Sequence, residues 1–438
     1  MSGVKAIRCE DVEPPAAACP AEALRESFRF PLKLVVVTHV VHYRHAGRIY
    51  AYAPYAREME LWGGLFDAMI IAAPCREREP PGDCAPIEVE KLGVQPQREV
   101  GGEGWASKLK SIAMLPVLMW ELSQALCLGD AIQVRSPGNL GFLGSLLGPL
   151  FSKRLVAKYA GQWISGKNDP LSIRLQRSVL RSRWWRGPVT VYGNWPGQPA
   201  HVVPFFNSVL TDDQIARAEE AIKSRGADEF KHVLFVGRLS RSKNVDVLLN
   251  ALGRLKSEGV AFTATIVGEG PELASLQQLC ADLGLRECVQ FAGGVSFGHV
   301  VELLQRSGIL VLASQTEGWP KAIVEAMAFG LVAIGSEVGL IPTILGENRG
   351  LLVPPRDVDA LTAALRGPLT SPQDYGRMRA GAASWARQYS IGALRESLRS
   401  LLGKWWDVAA DPSDASRTNS KRYVHRGTPS AEKADVRP

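Results

Sequence analysis

The sequence lacks the features that would assign it to several large functional classes. Its seven cysteines are scattered among 438 residues, odd in number, with no Cys-x-x-Cys pair and no Cys/His cluster. A disulfide framework or a structural zinc site is therefore not expected, and a reducing cytosol suits the pattern. The opening MSGVKAIRCEDVEPP has no apolar signal-peptide core. The most apolar long stretch, SIAMLPVLMWELSQALCLG (111–129), contains Pro116 and Glu121 and follows Lys108 and Lys110. It reads as a buried helix rather than a membrane span. No internal repeat stands out, and no RNA-binding module signature appears. Charge is one-sided only mildly: a net +7 with pI near 9.0 suits an anionic ligand or membrane surface without requiring nucleic acid.

What is present is globular composition, 46% hydrophobic and 22% charged, over a length suited to two or three domains. Residues 1–30 read as a loose leader. KLVVVTHV (33–40) is a valine-rich run suited to a strand buried on both faces, followed by helical character over 48–62 and the strand DAMIIAAP (67–74). A helix near 107–127 precedes the strand AIQVRS (131–136), and a helix near 140–151 precedes RLVAKYA (154–160). PVTVYG (188–193) and HVVPFFN (201–207) complete this half. The second half alternates more cleanly: HVLFVGR, FTATIVG, CVQFAG and ILVLAS are strands separated by helical segments. Such alternation implies parallel sheets with helices on both faces. The expected organisation is an α/β protein with two Rossmann-like domains, 31–203 and 204–371, and a cleft between them. Residues 372–408 are expected to be helical and 409–438 disordered.

Three junctions between strand and helix carry chemistry. VGRLSRSKN (236–244) presents Arg238, Arg241 and Lys243 at a strand's carboxyl end, just before a helix. Ligands of open parallel sheets bind there, and cations beside a helix N-terminus suit a diphosphate. IVGEGPE (266–272) holds the first two glycines of a dinucleotide fingerprint, with Leu273 where the third belongs, so NAD binding is disfavoured. SQTEGWPKAIVEAMAFGLVAIGS (314–336) places Glu317 in a loop and Glu325 on the following helix, with Pro320 expected at the first helical position. A loop carboxylate there can reach a sugar hydroxyl, and one on the helix can accept hydrogen bonds from a ribose. A purely structural account has Glu317 complementing the helix dipole and Glu325 pairing with Lys321. It leaves the neighbouring basic loop unexplained.

These elements, with FVGRLSRSKNVDVLLNAL, VQFAGGVS and RGLLVPPRD in the same order, resemble the retaining GT-B glycosyltransferases, in particular glycosyltransferase family 4, over roughly residues 232–368. The resemblance implies a GT-B fold, with the C-terminal helices crossing back to the first domain. It implies transfer of a sugar from a UDP- or GDP-linked donor with retained configuration, the leaving diphosphate helping to deprotonate the acceptor. Arg238 and Lys243 would bind the diphosphate, Glu317 the transferred sugar and Glu325 the ribose. Gly294 and Val295 would lie near the base, and Gly318, Trp319 and Lys321 would complete the donor site. YRHAGRIYAYA (43–53) resembles the family's glycine loop, with Ala46 in place of the first glycine and Gly47 as the second.

The N-terminal half departs from the pattern. Where many members carry a histidine, this chain has Arg135 and Ser136, leaving His39, His42, His45 or Arg135 as the catalytic candidates of that half. No cofactor is expected and no metal. The lone Asp-x-Asp, Asp357-Val358-Asp359, reads as a helix cap, and Arg238 with Lys243 serve as the charge partners of the leaving group. RLQRSVLRSRWWRG (174–187) interleaves arginines with Trp184 and Trp185. Either it is a solvated helix, or it contacts an anionic membrane on the cytoplasmic side, which suits a lipid-linked or glycan acceptor in polysaccharide synthesis. A GT-B nucleotide-sugar epimerase and a non-catalytic nucleotide-sugar or membrane binder are the alternative functions.

Overall fold

The computed structural model describes residues 29–99, 113–163, 169–208, 210–224 and 229–408. The expected leader, the disordered tail and the first part of the helix near 107–127 lie outside these residues.

Two parallel sheets organise the chain. The first has seven strands in the spatial order Val202–Phe205, Val189–Tyr192, Arg154–Tyr159, Ala131–Ser136, Phe30–Val37, Phe66–Ala73, Leu92–Pro96. The second has six: Val289–Gly293, Thr263–Val267, His232–Val236, Ile309–Leu312, Val332–Ser336, Leu351–Val353. In both, the strand order reverses beside the first strand, between Phe30–Val37 and Ala131–Ser136 and between His232–Val236 and Ile309–Leu312. Helices cover both faces, which is why strands such as Leu34–Val37 are wholly buried runs of valine and leucine rather than alternating ones. Reversal leaves a crevice at the carboxyl ends of the paired strands, and the two crevices bring the candidate residues together.

The segment after the first strand is a hairpin, and the helix does not begin at 48. His42–His45 and Arg48–Tyr52 form an antiparallel hairpin, extended by Cys75–Arg76 and Cys84–Pro86 into a small four-stranded sheet. Ala46 and Gly47 turn it with φ of 48° and 74°. Two successive positive φ values are the turn that matches strand twist, and the aromatic and branched run RIYAY favours strand over helix. The helix Ala53–Gly63 starts afterwards, with Pro54 in its first turn.

The C-terminal helical segment divides into a turn of 3-10 helix at Pro372–Tyr375 and the helices Gly376–Ala386 and Ile391–Trp406. The last ends against the first sheet. The Trp406 ring lies 6.0 Å from Phe30 and 5.9 Å from Phe66, and its indole N–H donates to the Leu155 carbonyl at 3.2 Å. Among the described residues no helix is long and apolar enough to cross a membrane.

Candidate active site

At the crevice of the second sheet, loops 237–244 and 313–320 leave neighbouring strands side by side. Lys243 Nζ donates to Glu317 Oε1 at 2.5 Å, and Ser314 Oγ donates to the same oxygen at 2.7 Å. Asn244 fastens the two loops. Wholly buried and left-handed at φ 49°, it donates through Nδ2 to the Ala313 carbonyl at 2.8 Å. Its Oδ1 accepts from Gln315 at 2.9 Å and Arg356 at 3.2 Å. Asparagine is among the few residues that enter this conformation readily, and that was the one signal in the sequence that could have marked it.

The turn 268–270 explains its glycines by close approach. A Cβ on Gly268 or Gly270 would collide with the Gly237 or Leu239 carbonyl, so the G-E-G turn lies directly on the basic loop. Leu239 N–H donates to the Glu269 carbonyl at 2.8 Å. A Cβ on Gly294 would stand 3.0 Å from Glu269 Oε1, which places the 294–295 loop beside the same turn, with Val295 packed at the edge of the core. Arg238 is exposed, and its charge acts on Tyr52 of the hairpin.

Helix Lys321–Ala328 begins one residue later than expected, with Pro320 at the N-cap. Ile323, Ala326 and Met327 pack into the core, while Glu325 is only 8% exposed. Burial raises its pKa to about 7, against the pull of Lys321 and Arg57. The Arg57 guanidinium comes from the first domain and lies 3.9 Å from the centre of the Phe297 ring in the second. Lys321 faces the first domain too: burial lowers its pKa although Glu58 and Tyr192 favour the charge.

Gly318 and Trp319 sit at the junction of the domains. A Cβ on Gly318 would come within 2.9 Å of the Ala160 carbonyl and 3.2 Å of the Tyr192 ring. The Trp319 ring packs among Tyr192, Phe206 and Tyr389 at 6.2, 6.4 and 5.4 Å, and its indole N–H is buried without a partner among the described residues. Gly47 lies at the tip of its hairpin, where an added Cβ would meet nothing within 4 Å.

In the first domain, Arg135 is already engaged. It grips Glu58 with both fork nitrogens, at 2.6 and 3.1 Å, while Lys158 Nζ donates to the same carboxylate at 2.7 Å. Burial opposes ionisation of Glu58, yet the two cations hold its carboxyl well below the usual range. Glu58 and Lys158 were not legible in the sequence, because no motif links residues 58, 135 and 158. His42 is buried, its Nδ1 donating to the Val40 carbonyl at 2.8 Å, and burial lowers its pKa to about 4, so it is neutral. His45 is exposed at the end of the hairpin strand. His39 stands at the crevice of the first sheet, over Gly138, with its pKa lowered by burial and by Arg135.

Asp357 caps its helix, accepting from the Ala360 N–H at 2.9 Å, and Asp359 pairs with Arg254. The tryptophan pair splits: Trp185 is buried in the first domain, whereas Trp184 is 43% exposed with its indole on the Leu146 carbonyl.

Residues 217–385 match the family model Glycosyl transferases group 1. Over 140 residues the chain is 36% identical to the amylovoran biosynthesis glycosyltransferase AmsK of Erwinia amylovora, covering 30% of this chain and 34% of that one. It is 27% identical over 256 residues to the MMP alpha-(1->4)-mannosyltransferase of Mycolicibacterium hassiacum, covering 51% and 60%. The chain thus spans between a third and three-fifths of these relatives. Among solved structures it resembles Anabaena HepE in complex with UDP and glucose, with TM-score 0.63, 15% identity, and coverage of 85% of this chain and 99% of that one. It also resembles the sucrose-phosphate synthase of Thermosynechococcus elongatus, with TM-score 0.61, 18% identity, and coverage of 86% and 100%. The fold is GT-B: two Rossmann-like α/β domains facing each other.

Proposed function

We propose that this chain is a retaining, metal-independent glycosyltransferase that moves a sugar from a nucleotide-sugar donor to a glycan or lipid-linked acceptor. The observation that carries the reading is the meeting of Lys243 and Glu317 at the crevice of the second sheet. A cation and a carboxylate side by side there suit the two ends of one bond-breaking event. Lys243, with exposed Arg238 beside it, takes the negative charge that grows on the departing diphosphate. Glu317 faces the sugar, where positive charge develops. Fixed charges of this kind stabilise a transition state without acid–base chemistry, and the domains supply orientation.

Buried Glu325 accepts the ribose hydroxyls, and the 294–295 loop borders the base. The solved neighbour holding UDP and glucose supports a nucleotide-sugar donor. Helix Leu171–Arg181 and the segment after it support contact with an anionic membrane surface. Leu171, Leu175 and Trp184 are 69%, 46% and 43% exposed beside exposed Arg174, Arg181, Arg183 and Arg186. Apolar anchors ringed by arginines suit that interface.

A thermal-shift screen of UDP-, GDP- and ADP-sugars tests the reading, since a ligand that binds only the native state raises the melting temperature. At least one family should stabilise the wild type and fail to stabilise Lys243→Ala. Turnover should persist in EDTA. A shift with none of them, or turnover of the donor into an epimer without acceptor, contradicts it.

A further inference from the structure

Donor binding leaves three buried side chains of the first domain without a role: Glu58, Arg135 and Lys158. Arg135 and Lys158 stand opposite each other on neighbouring parallel strands, so both project to one face. Helix Ala53–Gly63 lays Glu58 over them, and its carboxylate is shared: Oε1 accepts from both cations and Oε2 from Arg135 alone. Two cations over one carboxylate leave a formal excess of one positive charge inside the protein. The fork of Arg135 is engaged by Glu58, with the Tyr55 ring 5.0 Å from its guanidinium. Lys158 is different. Among the described residues its ammonium has a single hydrogen bond, so two of its three donors are unused, and its side chain is 9% exposed.

That ammonium points toward the other domain. It lies 5.9 Å from the centre of the Tyr192 ring, and the same ring borders Gly318 and Trp319. Lys321, on the far side, interacts electrostatically with Glu58 and Lys158, and adds a further cation. Buried charges in proteins are ordinarily paired, and an ammonium lacking its share of a carboxylate is costly. Burial accordingly draws the Lys158 pKa down to about 8, with Glu58 resisting and Arg135 assisting. An anion between the domains would remove the excess and use the idle donors.

We infer that Lys158, with Lys321 facing it, recognises an anionic group, a carboxylate or phosphate, on the molecule held between the domains. The substrate class is thus an acidic or phosphorylated sugar, carried by either the donor or the acceptor. The inference rests on the reading above that the cleft holds a nucleotide sugar and an acceptor.

Calorimetry on the full chain tests it in two arms. In the first, UDP-glucose is compared with UDP-glucuronate, and GDP-mannose with GDP-mannuronate. In the second, glucose and glucose 6-phosphate are titrated onto protein saturated with UDP or GDP. In one arm the anionic ligand should bind at least tenfold more tightly than its neutral counterpart. Lys158→Met should abolish that advantage and Lys158→Arg retain it. Lys158→Met leaves the Glu58–Arg135 pair intact, and its melting curve checks the fold. No preference in either arm, or one that survives Lys158→Met, overturns the proposal. Binding of UDP or GDP alone separates the two readings: if a nucleotide binds wild type without any anion preference, only the Lys158 assignment fails, and if neither binds, both fall.

Discussion

Lys243 and Glu317 are 74 positions apart in the chain and 2.5 Å apart in space. The pair joins the loop after the first strand of the second sheet to the loop after its fourth, and Ser314 holds the carboxylate from the other side. In the proposed reaction, a diphosphate at this crevice would draw Lys243 away from Glu317 and leave the carboxylate facing the sugar. Lys243→Ala should therefore lower nucleoside-diphosphate affinity by at least about tenfold, or ~1.4 kcal/mol. The fold should persist, because Asn244 still binds both loops. Calorimetry showing unchanged affinity removes Lys243 from the donor site.

Glu325 makes a prediction about pH. Its folded pKa of about 7 lies above its ordinary 4.5. Between those values the folded chain holds a proton that the unfolded chain has released, so stability falls as pH rises through that window. The full penalty, present above pH 7, is at most about 3 kcal/mol. Glu325→Gln escapes it. Chemical denaturation should show the variant gaining on wild type between pH 5 and pH 8, and a difference that stays constant with pH contradicts the assignment.

The two adjacent tryptophans predict opposite outcomes. Replacing exposed Trp184 together with Leu171 and Leu175 by serine should leave melting nearly unchanged and reduce flotation with vesicles containing anionic lipid. Trp185→Ala empties a core position that is 2% exposed and should cost about 3–5 kcal/mol of stability. Equal flotation of wild type and the triple variant removes the membrane contact.

Gly318 marks where the domains touch. Gly318→Ala sets a Cβ 2.9 Å from the Ala160 carbonyl, tighter than real contacts allow, and backbone cannot yield as a flexible side chain can. The domains must part slightly. The turnover number should fall by more than nucleoside-diphosphate affinity, since Lys243 lies within one domain. Parallel losses in both assign Gly318 to donor binding instead.

The second half of the chain was legible because its chemistry is local. Each strand, its turn and its helix are contiguous in sequence, so the sequence alone places Arg238, Lys243, Glu317 and Glu325 on named elements. The match ended where contacts are long-range. The alternation in RIYAY was hidden beside a helix, so the hairpin 42–52 read as a loop and helix. Glu58 gave no signal, since its partners lie 77 and 100 residues away on two strands. Arg135 read as a substituted histidine, and only the fold revealed that its charge is already committed. Nor did the sequence show that Trp319, expected in the donor site, packs among the rings of Tyr192, Phe206 and Tyr389.

Departure of the sugar from its nucleotide at Glu317 is tested most directly by product formation in wild type and Glu317→Gln, with the donor found by screening and its acceptor, and with anomeric configuration read by NMR. Wild type should give a product of the donor's own configuration. The variant should lose about a hundredfold or more in turnover, roughly 3 kcal/mol of transition-state stabilisation, with nucleoside diphosphate still bound. Equal turnover in the variant, or a product of inverted configuration, contradicts it.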